Sequence, residues 1–254
     1  YGEQNGYSSK LQFVFMTWLT HFATYWFLNF ILMIWYQNDL FMKYRIQGKS
    51  LPPWKIVKEC LTNELISHLI IQPIAIWYAY PIFMYYHVDM SASIPDLFTI
   101  IRDIIIFIGF NDTMFFWAHR TLHHKSIYKY IHKHHHRFKV NIGIAAEFSH
   151  PIEDLFANTI PTMIGALVMN SHPITLWLWI ILRICETLEA HSGYDFPYSP
   201  FHFFSWQGGS ARHDFHHSHN VGCYGSFTIF WDWICGTDKQ FLEWKKGQNV
   251  KKED

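Results

Sequence analysis

The sequence predicts an all-α, polytopic membrane protein with a histidine-rich helical region for two metals on its cytosolic side. Three observations lead there. Half of the 254 residues are apolar and 19% are aromatic, more than a small soluble core needs. Long apolar stretches recur along the chain, separated by polar segments. Eight histidines fall in three short patterns: His119 and His123, then His132, His135 and His136, then His213, His216 and His217. Residues three and four apart on a helix share a face, with Cβ atoms about 5–6 Å apart.

Residues 11–36 carry no Asp, Glu, Lys or Arg and are long enough to cross a bilayer with tilt. Trp18, Trp26, Trp35 and Tyr36 are suited to anchor such a span at the interfaces. A basic segment, 37–63, follows, broken by Pro52 and Pro53. The second apolar stretch, 64–86, contains Pro73 and Pro81, which should kink it. The third runs from Asp96 to about Ala118 and leads directly into His119. Residues 152–169 and 173–190 read as a membrane hairpin around Asn170-Ser-His-Pro173. Residues 191–250 are too polar to span. Three regions result: 1–118, transmembrane helices with a basic cytosolic loop; 119–240, the histidine-rich di-metal catalytic region including the hairpin; and 241–254, a charged cytosolic tail whose residues 243–254 read as solvated.

Residues 119–139 hold six basic side chains and no acid. The positive-inside rule puts them, the 37–63 loop and the C-terminus on the cytosolic face. No signal peptide is expected, and the missing initial Met points to a trimmed N-terminus. Lys+Arg and Asp+Glu are both 20, so there is no basic footprint for nucleic acid. Cys60, Cys185, Cys223 and Cys235 have no metal-binding spacing and read as free thiols.

Neutral imidazole is a good ligand for iron or zinc. Two copies of HxxHH in unrelated segments exceed what solvated or capping histidines explain. His191, where the hairpin ends, adds a ninth candidate to His119, His123, His132, His135, His136, His213, His216 and His217. Nine ligands favour two metals over a single zinc with three ligands and a water. Two redox-active irons suit O2 activation, which an unactivated lipid C–H bond requires. Zinc competes for the same imidazoles in a purified sample. Glu147, Glu189, Asp214 and His150 read as outer partners that orient ligand rings, with Asp214 foremost because it lies between His213 and His216. His21 and His68 read as packing residues. An apolar substrate pocket is expected among Phe110, Phe115, Phe116, Trp117, Phe148 and Leu188. No P-loop, dinucleotide loop or nucleophile elbow is present, so electrons must come from a separate carrier on the basic face.

The segments Trp117-Ala-His119-Arg-Thr-Leu-His123, Ile127-Tyr-Lys-Tyr-Ile-His132, Glu147-Phe-Ser-His150-Pro-Ile-Glu153, Glu186-Thr-Leu-Glu-Ala-His191, His213-Asp-Phe-His216-His217 and Trp231-Asp-Trp-Ile-Cys-Gly-Thr-Asp238 occur in this order across residues 11–240. In these the chain resembles the fatty acid hydroxylase / sterol desaturase superfamily of membrane di-iron enzymes, and within it the C4-methylsterol monooxygenases. The resemblance implies an endoplasmic reticulum enzyme whose nine histidines hold two irons. It implies oxidation of a sterol C4-methyl group to alcohol, aldehyde and acid. It further implies that O2 is consumed and that NAD(P)H supplies electrons through cytochrome b5 and its reductase. Other sterol-synthesis enzymes are implied partners. Lys251 and Lys252 resemble a dilysine retrieval signal. His134, Arg212 and His219 depart from the sterol pattern. Oxidation of a fatty acyl chain, a sphingoid base or another sterol therefore stays open, as do a zinc hydrolase and a non-catalytic scaffold.

Overall fold

The computed structural model describes the backbone of residues 2–88, 90, 92–202 and 206–253, and side chains from residue 8 to 248 apart from 202. The fold is all-α, and its described β-structure is limited to two isolated bridges, Arg45–Tyr194 and Gln207–Thr228.

Helix α1, Gly2–Gln37, covers the first apolar stretch. One face buries Phe13, Tyr25 and Leu32, and the other exposes Leu11, Phe15, Phe27 and Phe30. Helix α2 runs continuously over Trp54–Tyr85, longer than the apolar stretch because its first turns are amphipathic. Helix α3 is Leu97–Leu122, started by Asp96, whose side chain accepts from the Thr99 amide at 2.8 Å. Helix α4 spans residues 151–168 and α5 spans Pro173–His191. Both open with His-Pro. The His150 and His172 rings accept from Ile152 and Ile174 amides, and each proline takes the first helical position. Helices α6 (Gly209–His219), α7 (Phe230–Cys235) and α8 (Lys239–Glu253) complete the chain.

Proline shapes two of these helices. In α2 the segment Ser67–Ile71 widens to π-helix, and in α4 Asp154–Thr159 does the same. Pro73 and Pro161 follow within two residues. A proline lacks an N–H and its ring collides with the carbonyl four residues back, so a widened turn just before it relieves the clash.

The core lies where α1 packs on α5 and α2, and α3 packs on α4. Phe107, Ala166, Trp179, Ile184 and Leu188 are buried there. Gly165 sits directly against α3: a Cβ would lie 2.7 Å from Phe107 Cδ1 and 2.9 Å from its Cα. Gly165→Ala must push the two helices apart. We expect a loss of about 1–3 kcal/mol, seen as a lower melting temperature in detergent with an unchanged helical signal.

At the start of α8 Phe241 is buried against Phe215 and Trp244 packs on both, while Glu243 and residues 245–248 are exposed. The dilysine pair lies beyond the described side chains. Among described helices, Trp54–Tyr85 alone is long and apolar enough to cross a membrane by length and composition. Helix α1 misses that hydropathy because Thr17, Thr20, His21, Thr24 and Asn29 dilute its apolar residues. The four cysteines are unpaired.

Candidate metal centre

All nine candidate histidines converge at one end of the helices, in two adjoining groups. His119, His123, His132, His136 and His216 form one; His135, His191, His213 and His217 form the other. Within each group the nearest ring nitrogens lie within 4.8 Å of one another. The stacked rings of His136 and His217, 4.7 Å between centroids, join the groups.

The motifs do not each make one site. The i, i+4 pairs stay together: 119 with 123, 132 with 136, 213 with 217. The i+3 residue of each HxxHH, His135 or His216, crosses to the other group. Each HxxHH thus supplies both groups. Nor do all three patterns lie on α-helices. His119 is on α3 with His123 as its cap, and His213–His217 lie on α6. His132–His136 form turns ending in a 3-10 segment, held by His136 N–H to the His132 carbonyl at 3.2 Å. That single helical turn preserves the spacing without a helix.

The hydrogen bonds decide which nitrogen faces inward. His119 Nδ1 donates to the Tyr224 carbonyl at 3.0 Å and His216 Nδ1 to the Gly222 carbonyl at 2.6 Å. His135, His191 and His217 donate likewise to the carbonyls of Phe148, Thr187 and Phe138 at 3.1, 2.8 and 2.9 Å. His132 Nδ1 donates to the Glu153 carboxylate at 2.7 Å. With Nδ1 carrying the proton, Nε2 presents a lone pair. His216 Nε2 then lies 3.0–3.1 Å from Nε2 of His119, His123 and His136. In the other group His213 Nε2 is 2.9 Å from that of His191 and 3.0 Å from that of His217. Converging lone pairs repel, and at most a few could share a proton. Ligands at the usual metal–nitrogen distance sit about 3.0–3.4 Å apart around one ion, so the spacing fits a metal in each group.

Burial keeps the rings neutral. The His123 pKa falls to about 3 and that of His135 to about 4, with desolvation the leading cause in both. His216 and His217 are likewise held well below the usual imidazole value, first by burial and then by neighbouring imidazoles. In the metal-free protein the unfolded chain therefore takes up protons below about pH 6.5 that the folded chain refuses. Its stability should be fully present above that pH and fall as pH falls through it. Melting curves of chelated protein at pH 7.5, 6.5 and 5.5 check the sign.

The 222–228 loop supplies two of the carbonyls, those of Gly222 and Tyr224. Asp112 on α3 accepts from the Phe227 and Thr228 amides at 3.0 and 2.8 Å, and Asp232 accepts from those of Tyr224 and Gly225 at 2.9 and 2.7 Å. Together they fix the 222–228 loop under His119 and His216. Gly222 has φ +57°, and a Cβ there would collide with the Thr237 carbonyl.

The outer partners differ from those expected. Asp214 accepts from Gln47 at 2.9 and 3.1 Å and from Asn141 at 3.4 Å, with no described bond to a ligand ring. On a helix, its position between His213 and His216 points it away from their face. Glu189 is bonded by Ser199, and His150 caps α4. Glu147 meets His21 at 3.1 Å and His68 at 2.8 Å, a separate group whose nearest ring nitrogens and carboxylate oxygens also lie within 4.8 Å of one another. The carboxylate on a candidate ligand is Glu153, which is not among the outer partners expected from the sequence. Its place three residues after His150, on the first turn of a helix, was the available signal.

A cavity of about 510 Å³ lies between α1, α2, α4 and α5. Exposed Ile66 and Ile71 are at its rim. Phe148 and Thr187, whose carbonyls hold His135 and His191, are in its wall. Of the six expected pocket residues only Phe148 lines it. Phe115 lines a smaller recess beside His191 and His213, while Phe116 and Leu188 are core.

Residues 104–237 match the family model described as fatty acid hydroxylase. The chain belongs to the fatty acid hydroxylase family. It is 34% identical to the very-long-chain aldehyde decarbonylase GL1-11 of Oryza sativa subsp. indica, over 92% of this chain and 91% of that one. It is 35% identical to methylsterol monooxygenase 1 of Gallus gallus, over 92% and 80%. It is 36% identical to methylsterol monooxygenase 2-2 of Arabidopsis thaliana, over 86% and 83%. No solved structure matches. The matched span holds all nine candidate histidines, Glu153 and the 222–228 loop.

Proposed function

We propose that this family member is a multi-pass endoplasmic reticulum enzyme that oxidises the C4-methyl group of a sterol, using O2 at two irons. The observation that carries the reading is the pair of neutral-imidazole groups lying directly behind the wall of a 510 Å³ cavity. That volume is within the range of about 300–1,000 Å³ typical of small-molecule pockets.

The five-histidine group would hold one iron and the four-histidine group the other. When bound, the irons supply the O2 and C–H chemistry that protein side chains lack. The chain supplies the rest. Backbone carbonyls and Glu153 keep Nδ1 protonated in six of the nine rings, those of His119, His132, His135, His191, His216 and His217, so their Nε2 atoms remain donors to metal. Phe148, Ile180 and Ile184 in the cavity wall keep water from the substrate side. Exposed apolar faces on α1, α2 and α3, including Phe27, Ile74 and Ile105, would sit in lipid and let a sterol enter at the Ile66–Ile71 rim. Arg120, Lys125, Lys129, Lys133 and Lys139 are exposed beside the histidines, a basic surface suited to an acidic carrier such as cytochrome b5, recharged by its reductase from NAD(P)H.

Microsomes carrying the protein, given 4,4-dimethylsterol, NAD(P)H and air, should yield 4-hydroxymethyl and 4-carboxy products by mass spectrometry. Product formed without O2, or oxidation of acyl chains or long-chain aldehydes but never of the sterol, contradicts the reading.

A further inference from the structure

The 510 Å³ cavity is not uniformly apolar. Its wall includes Gln72, His21, Glu147 and, two residues on from Glu147, Ser149. Glu147 ties His21 and His68 together, and the Gln72 amide nitrogen lies 3.2 Å from His21 Nδ1. Gln72 and Ser149 both line the cavity, and Gln72 Oε1 and Ser149 Oγ are each buried with no partner among the described residues. An unpaired buried polar atom is costly, and native proteins usually meet one with a protein group, a water or a ligand. The backbone is also specialised here. Both π-helical segments border the cavity, through Ser67 and Ile71 on α2 and through Asp154, Asn158 and Thr159 on α4. Such widened turns are frequent at functional sites. Ionisable residues within membrane-spanning helices are costly and mark substrate or ion pathways.

We propose that this polar end, built by Gln72, Ser149 and the His21–Glu147–His68 group, binds the hydroxyl of an amphiphilic lipid alcohol. The proposal rests on the reading of the cavity as the substrate site and adds what the substrate must carry. A hydroxyl both donates and accepts, so it pairs with the Gln72 amide and with Ser149; a hydrocarbon does neither. Placement supports it. Glu147 and Ser149 flank Phe148, whose carbonyl holds the ligand candidate His135. In a 4-methylsterol the hydroxyl-bearing carbon adjoins the carbon carrying the methyl groups. Anchoring the hydroxyl at this wall therefore brings the methyl groups to the side where the histidines lie.

The test is binding, which needs no turnover. Purified protein in detergent is loaded with radiolabelled 4,4-dimethylsterol, which is then displaced by the unlabelled sterol or by its 3-deoxy counterpart. The alcohol should bind about tenfold tighter or more, the worth of a buried hydrogen bond. Gln72→Leu should bring the two close to equal by weakening the alcohol alone, and Ser149→Ala should narrow the ratio. Unchanged binding of the deoxy compound reports an intact fold in each variant. Equal binding of both sterols by the unsubstituted protein, a ratio that survives both substitutions, or no binding of either sterol overturns the proposal. So does a third tightly bound metal that Glu147→Gln removes, since the group would then be a cation site. A protein that shows the ratio but oxidises no sterol keeps this subsite and loses the proposed reaction. One that oxidises sterols yet ignores the hydroxyl does the reverse.

Discussion

His216→Ala is expected to remove one metal per chain and to lower turnover by more than about 100-fold, the upper end of the effect of losing an outer-sphere partner. His216 is fully buried, and its Nε2 meets three other ring nitrogens of the five-histidine group. It is the hub of that group, so the remaining four rings lose their common centre. The four-histidine group does not include it and should keep its metal. Retained membrane insertion and a residual metal ratio near one separate this outcome from unfolding. Loss of both metals with a normal melting curve would show that the two groups do not load independently.

Glu153→Ala should weaken metal binding about 10–100-fold without abolishing it. The carboxylate holds His132 Nδ1 at 2.7 Å, fixing the ring and raising its basicity. Glu153→Gln keeps an acceptor but not the charge and should fall between. Asp214→Ala should leave metal affinity unchanged, because its partners are Gln47 and Asn141; its cost should appear in thermal stability. Titration of chelated protein with Fe(II), monitored by metal-dependent absorbance, distinguishes the three. Equal metal affinity for Glu153→Ala and the unsubstituted protein would return Glu153 to a purely structural role.

Much of the centre was legible in the sequence because ligand spacing is local. An HxxHH turn puts its members within reach of one another whether the backbone is α-helical, as at 213–217, or a tight turn, as at 132–136. The split of each HxxHH motif between the two groups was not legible. It depends on how α3, α6 and the 132–137 turn face each other, which no local pattern encodes. Four of the six ring partners were hidden for the same reason, being main-chain carbonyls or a carboxylate at least thirteen residues away; those of His216 and His191 lie six and four residues away, the latter on the same helix. Glu147 and His150 were expected to orient ligand rings, but His150 caps α4, and Glu147 turns to His21 and His68 on other helices. The apolar periodicity located α1, α2, α3 and the 151–191 hairpin. It overstated their likeness to simple spans, because α1 carries polar side chains on the face it shares with α2 and α5.

The most direct test is the metal-to-protein ratio. Protein expressed with added iron, purified without chelators and measured by mass spectrometry for all transition metals against quantitative amino-acid analysis, should hold two metal ions per chain. A ratio near one, or two ions that survive replacement of both His213 and His216, would contradict a two-metal centre built from these nine histidines.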